Sequence, residues 1–183
     1  MHSDQNLWYT YFMAYDYKTV YEKQAAFYEK RPKLKRALVL FNGVATVAFM
    51  LVYAALIALT FIYFRGARGY IKTFALPAAC LAAVTILRRL IRKPRPYQTS
   101  GANIIPLLQK ADGENESFPS RHLASAFVIA TLFCAYFPWA GIPLYLCGIA
   151  LGYARFALGL HYPSDLLVGA GLGLAFGVPA FFI

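Results

Sequence analysis

Negative charge is scarce in this chain: 8 Asp and Glu stand against 18 Lys and Arg, giving a formal net charge of +10 over 183 residues. Charge of either sign is thin at 14% of residues, while 60% are hydrophobic and mean hydropathy is +0.50. An ordinary soluble domain is roughly half apolar, so these values exclude one and indicate an integral membrane protein. Cysteine is sparse too. Cys80, Cys134 and Cys147 are odd in number and all lie inside apolar runs, so they read as small buried residues and exclude a disulfide framework. Histidine is limited to His2, His122 and His161, too few for a histidine-rich metal site. The N-terminus lacks the short apolar core of a cleavable signal peptide, and the chain carries no internal repeat. No basic face is interleaved with exposed aromatics in a soluble module, which argues against nucleic acid as a partner. The excess of positive charge must instead sit at the ends of membrane spans, where it suits anionic headgroups or phosphorylated substrates.

What is present falls into a polar arm and a series of apolar runs. Residues 1–36 crowd Trp8, Tyr9, Tyr11, Phe12, Tyr15, Tyr17, Tyr21, Phe27 and Tyr28 ahead of Lys30, Arg31, Lys33, Lys35 and Arg36. Aromatics mixed with lysines suit the water–lipid boundary, so the arm is expected to be an amphipathic interfacial helix. The remainder, residues 37–183, is expected to be one membrane-embedded domain. Spans are expected over 37–64, 73–91, 120–138, 142–156 and 163–183, with a tight turn over 138–141. The last run holds Gly169, Ala170, Gly171, Gly173, Ala175 and Gly177, which permits close helix packing. The fold class is therefore all-α, a helical membrane bundle of five to six spans. The only sizeable loop covers 92–118, broken by Pro94, Pro96, Gly101 and Gly113 and made polar by Asp112, Glu114 and Glu116. Threading the chain through the membrane brings this loop and the 156–162 loop to the same face.

Three groups of ionisable residues meet there. Arg155, His161 and Asp165 lie between two apolar runs, where charge has no structural use and points to function. Pro163 suits a first helical turn, so Asp165 falls in that turn and can reach back to one ring nitrogen of His161, leaving the other bare and nucleophilic. Arg88 and Arg95 are spaced by nearly two helical turns ahead of Pro96, and their planar forks match phosphate oxygens. Arg89, Arg92 and Lys93 are expected to snorkel to lipid phosphates instead. Phe118-Pro119-Ser120-Arg121-His122 opens a span, offering free backbone N–H groups, a hydroxyl and a histidine placed to move a proton. Two histidines, several arginines and one carboxylate indicate phosphoryl transfer by fixed positive charge, with no metal or other cofactor.

These elements resemble, in order and spacing, the type 2 phosphatidic acid phosphatase (PAP2) superfamily of membrane lipid phosphatases. The family pattern Lys-x6-Arg-Pro, Pro-Ser-Gly-His and Ser-Arg-x5-His-x3-Asp is met by Arg88-x6-Arg95-Pro96, Pro119-Ser120-Arg121-His122 and Ala154-Arg155-x5-His161-x3-Asp165. The resemblance covers about residues 88–165. It implies a phosphohistidine formed on His161, oriented by Asp165, with His122 as acid and then base, and with Arg88, Arg95, Ser120 and Arg155 on the phosphate. Arg88 stands where the family has Lys, Arg121 where it has Gly, and Ala154 where it has Ser. Arg121 retains the backbone N–H, and its side chain is expected to bind a second phosphate or the headgroup.

The resemblance implies a metal-independent phosphatase acting on a polyprenyl pyrophosphate such as undecaprenyl pyrophosphate, phosphatidylglycerophosphate, phosphatidic acid or a phosphorylated glycolipid. A lipid phosphotransferase with the same site is the neighbouring reading. A non-catalytic anion or lipid transporter fits less well, since repeats and midplane charges are missing. The expected partners are the lipid substrate and the bilayer, with no obligatory protein partner evident. The positive-inside rule, applied to the arm, would place the site in the cytoplasm. The resemblance implies the extracytoplasmic face of a bacterial inner or plasma membrane. The latter is the expectation here, with the arm's lysines engaged by lipid.

Overall fold

The structure, a computed structural model, describes residues 4–99, 103–108 and 116–183, with side chains from residue 17 onward. Among these, every regular element is helical: α1 (Asp4–Glu29), α2 (Pro32–Tyr63), α3 (Ala67–Tyr70), α4 (Leu76–Ile91), α5 (Arg121–Tyr136), α6 (Pro138–Ala157) and α7 (Pro163–Gly177). A π-helical stretch, Ile71–Ala75, fuses α3 to α4. Four stretches are long and apolar enough to cross a membrane by length and composition: Pro32–Tyr63, Ala67–Gln98, Pro138–Ala157 and Pro163–Phe181. The chain is thus an integral membrane helical bundle.

Helix α5 is the axis. At 16 residues it is roughly 24 Å long at 1.5 Å per residue, short of a bilayer core of about 30 Å. It has no need to match lipid, because Leu123, Ala124, Ala126, Val128, Ile129, Ala130, Thr131 and Leu132 are buried on nearly every side of it. The outer helices instead present apolar side chains outward, among them Leu40, Met50, Leu51, Leu90, Leu146 and Leu167.

Small residues bring α7 hard against α5. A Cβ on Gly169 would come within 2.6 Å of the Ser120 carbonyl oxygen, and one on Gly173 within 2.5 Å of the Ala124 carbonyl oxygen. The spacing of four residues keeps both glycines on one helix face. This contact fixes the N-terminus of α5 beside the N-terminus of α7, and the Ser120 amide donates to the Asp165 carbonyl at 2.9 Å.

Several boundaries differ from the sequence reading. Helix α2 begins at Pro32, so Lys33, Lys35 and Arg36 lie in its first turns and the break in the chain falls at Arg31. Helix α6 starts at Pro138, not at 142. Proline serves as its first residue, where a missing N–H costs nothing, and the expected four-residue turn shrinks to Phe137. Helix α7 gives way at Val178–Phe181 to a 3-10 turn containing Pro179.

Residues 4–29 are helical as expected of the arm. Three of its tyrosines, however, face protein. Tyr17, Tyr21 and Tyr28 are buried. Tyr21 donates to the Ile105 carbonyl at 3.0 Å and accepts from the Leu107 amide at 2.9 Å. The Tyr28 and Tyr153 hydroxyls share a 3.1 Å hydrogen bond. A hydroxyl at the ring tip can be satisfied by a carbonyl as well as by interfacial water. The side chains of Trp8, Tyr9, Tyr11, Phe12 and Tyr15, and all of His2, Gly101, Asp112, Gly113 and Glu114, lie outside the described residues.

Candidate active site

Following the helices in sequence, residues 92–99 and 116–120, the 158–162 loop and the start of α2 all emerge at one end of the bundle. The residues singled out by the sequence gather there. Arg88, Arg95 and Arg155 are 5%, 3% and 2% exposed, and His161 and Asp165 are 2% and 0% exposed. Burying three guanidiniums together is unfavourable: two like charges 4 Å apart repel by about 4 kcal/mol at an effective dielectric of 20. A fold retains such a cluster where an anion is to be held.

His161 sits in the turn between α6 and α7. Gly159 makes that turn with φ of 78°, a backbone conformation that favours glycine. A Cβ there would also meet the Tyr21 hydroxyl at 2.9 Å. Nδ1 of His161 lies 3.0 Å from the Ser117 carbonyl oxygen. A carbonyl only accepts, so Nδ1 carries the proton and Nε2 is left with its lone pair. The Asp165 carboxylate is further away, with Oδ2 3.8 Å from Nδ1. It acts on the ring through its charge, while the Ser117 carbonyl takes the hydrogen bond. Burial pushes the His161 pKa down from 6.5 to about 4; Arg155 and Arg95 push the same way, and Asp165 opposes them. At neutral pH the imidazole is therefore uncharged.

Asp165 is the third residue of α7, with Pro163 at the first position. Its Oδ2 accepts from the Tyr162 amide at 3.1 Å and from the Ser117 hydroxyl at 2.5 Å. The first contact closes the helix N-terminus in the manner of a capping box. One carboxylate thus ties together the helix start, the 116–120 segment and the histidine turn.

Arg88, at the end of α4, donates to the Pro119 carbonyl at 3.0 Å, to the Glu116 carbonyl, and to Glu116 Oε2 at 3.3 Å. The Ser120 hydroxyl is fully buried, does not cap α5, and has no hydrogen-bond partner among the described residues. A buried hydroxyl left in that condition is costly unless a further group meets it. His122 is half-buried in the first turn of α5. Arg121 is exposed, at the rim, with its guanidinium 3.2 Å from Glu116 Oε2. Glu116 therefore bridges Arg88 and Arg121. All the residues expected at the site lie at this end of the bundle, with Arg121 outermost.

Two participants escaped the sequence reading. Ser117 contributes both its carbonyl and its hydroxyl. Lys93, expected to reach lipid, instead turns inward and places Nζ 2.7 Å from Asp165 Oδ1. Its ammonium lies over the Tyr162 ring, 4.5 Å from the centroid. The signal available for Lys93 was its place between Arg88 and Arg95; for a backbone carbonyl there was none. Among the described residues no three His, Cys, Asp or Glu side chains come together as a metal ligand set. A cavity of about 450 Å³ lies at the opposite end, lined by Arg65, Arg68, Lys72 and Tyr136 among others, and contains none of these site residues.

Comparison with known proteins follows the same lines. The model of the PAP2 superfamily matches residues 69–182. A lipid A 4'-phosphatase of Bacteroides thetaiotaomicron is 33% identical over 93 residues, 49% of this chain and 41% of the relative. A decaprenylphosphoryl-5-phosphoribose phosphatase of Mycobacterium tuberculosis is 32% identical over 97 residues, 52% of this chain and 50% of the relative. The chain spans half or less of the length of these curated relatives. A transmembrane PAP2-type phosphatidylglycerolphosphate phosphatase from Bacillus subtilis superposes with a TM-score of 0.70 at 19% identity, over 98% of this chain and 94% of that one. The last likeness is one of fold.

Proposed function

The chain belongs to the PAP2 superfamily, and from that membership and the site's geometry we propose that it is a membrane lipid phosphatase working through His161. The observation that carries the reading is the histidine itself: buried, neutral, with Nδ1 bound to the Ser117 carbonyl and Nε2 bare, among three buried guanidiniums. Nε2 attacks phosphorus and the bond from phosphorus to the lipid oxygen breaks. His122 supplies the proton that the leaving oxygen takes up. Water then attacks the phosphohistidine, His122 accepts its proton, the N–P bond breaks and inorganic phosphate leaves. Arg88, Arg95, Arg155 and Ser120 hold the phosphoryl oxygens, whose negative charge their fixed donors stabilise.

Among lipid phosphates, a phosphate carried on the sugar of a lipid is favoured, because the curated relatives act, by their names, on lipid A and on decaprenylphosphoryl-5-phosphoribose. The proposed setting is a bacterial inner or plasma membrane with the site on the extracytoplasmic side. Lys72, at the opposite end of the bundle, tests the side: in a Lys72→Cys protein, labelling of intact cells by an impermeant reagent would overturn that orientation.

The activity is tested by purifying wild type and His161→Ala in detergent and measuring phosphate release with a chelator present. The panel is lipid A, a polyprenyl pyrophosphate, phosphatidylglycerophosphate and phosphatidic acid. Release by wild type alone, led by lipid A, is expected. Equal release by both proteins would overturn the role of His161. Release led by a substrate without sugar would overturn the substrate class.

A further inference from the structure

Lys93 joins three segments of the site: residues 92–98, residues 116–120 and the start of α7. Its main-chain carbonyl accepts from the Ser117 amide at 2.9 Å, tying the 92–98 segment to the 116–120 segment. Its ammonium reaches α7, donating to Asp165 Oδ1 at 2.7 Å and to the Ser164 hydroxyl at 3.0 Å. Two rings flank it, Tyr162 with centroid at 4.5 Å and Phe118 at 5.6 Å. The side chain is 19% exposed and its partner carboxylate is fully buried. A buried carboxylate that has lost its counter-ion is a severe defect, so Asp165 depends on Lys93. The two Asp165 oxygens divide their work: Oδ1 takes the ammonium, while Oδ2 faces Ser117, the Tyr162 amide and His161 Nδ1.

We propose that Lys93 is a positioning residue of the phosphoryl-transfer site, acting through Asp165 to hold the carboxylate against His161 and to balance its charge. The inference rests on the reading of His161 as the nucleophile. Lys93 lies between Arg88 and Arg95 in sequence, yet its ammonium is engaged by the carboxylate and Ser164. A role in binding the phosphate is thereby separable from a role in tuning the histidine. The charged groups that face His161 are Asp165 on α7, Arg155 on α6 and Arg95 of the 92–98 segment. Lys93 stands behind Asp165 in this set. Replacing its ammonium by a neutral group leaves the Asp165 charge less balanced, which favours the protonated imidazole. The acid limb of the activity profile then moves to higher pH.

The test compares wild type, His161→Ala, Lys93→Met and Lys93→Gln in detergent, with kcat and KM measured across pH on whichever panel lipid phosphate wild type turns over fastest. Two neutral replacements are used so that a folding failure in one, seen by size-exclusion chromatography, leaves the other readable. The expected result is a fall in kcat of roughly ten- to a hundredfold, a KM within about threefold of wild type, and an acid limb displaced upward by about one pH unit. A large rise in KM with unchanged kcat would overturn the inference in favour of a direct phosphate contact. Unchanged kcat, KM and acid limb would overturn it in favour of a bystander. Activity of His161→Ala equal to wild type would instead overturn the underlying reading, and the two failures are thereby told apart.

Discussion

Both ends of the bundle are rich in positive charge, and they handle it in opposite ways. At one end Arg65 and Arg68 are exposed and Lys72 is half-buried, lining an open cavity beside Tyr136. At the other end Arg88, Arg95 and Arg155 are buried to within 5%, around a neutral histidine and a carboxylate with five polar neighbours. Cations at a membrane edge are ordinary, since lysine and arginine stems reach toward headgroups. Guanidiniums withdrawn from water around a bare imidazole nitrogen are not, because desolvation and mutual repulsion both oppose them. The count of basic residues does not distinguish the two ends. Burial and partners do.

The comparison breaks most easily at Arg155. Arg155→Gln should lower kcat/KM by about a hundred- to a thousandfold, the effect of removing one charge-stabilising donor; an effect below tenfold would erase the difference between the ends. Acid should act next. The proposed attack needs neutral His161, so on that reading kcat/KM should hold from neutrality downward and fall as pH passes through about 4, by roughly tenfold for each further unit. A limb near pH 6.5 would mean that the histidine is not withdrawn from water. Arg121→Gly, at the exposed rim, should change the ranking of lipid substrates while leaving the maximal rate within about threefold; an unchanged ranking would remove Arg121 from substrate contact. Smallest of all, Arg65→Gln, Arg68→Gln and Lys72→Gln combined should leave phosphate release within about twofold, as for residues clear of the chemistry.

Much of this was legible in the sequence because spacing carries it. Pro163 and Asp165 fall in one helical turn by position alone, and Arg88, Arg95, Ser120, His122, Arg155 and His161 reach one face by counting apolar runs. The glycines of α7 announced close packing, and Gly169 and Gly173 meet α5 as their spacing implies. What was not legible depends on groups without a sequence signature or with two physical options. The Ser117 carbonyl that sets the His161 tautomer belongs to a backbone, and every residue has one. Lys93 could equally reach lipid or turn inward, and only the buried Asp165 decides between them. Aromatic residues in the arm carry the same pattern whether they meet headgroups or protein, so the docking of Tyr17, Tyr21 and Tyr28 on the bundle depended on the position of α6 and of the 103–108 segment. The start of α6 is ambiguous for a related reason: Pro138 closes a turn or opens a helix equally well, and in the fold it opens α6, with Gly141 in close contact with Cys134 of α5.

The most direct measurement is to trap the reaction. Wild type and His161→Ala would be mixed with a substrate carrying a labelled phosphate, quenched within a turnover, and digested to find the labelled peptide. The expected result is a label that is stable to alkali and lost in acid, as a phosphorus–nitrogen bond requires, on the peptide containing His161 and missing from His161→Ala. A label stable to acid, or one that persists in His161→Ala, would contradict it.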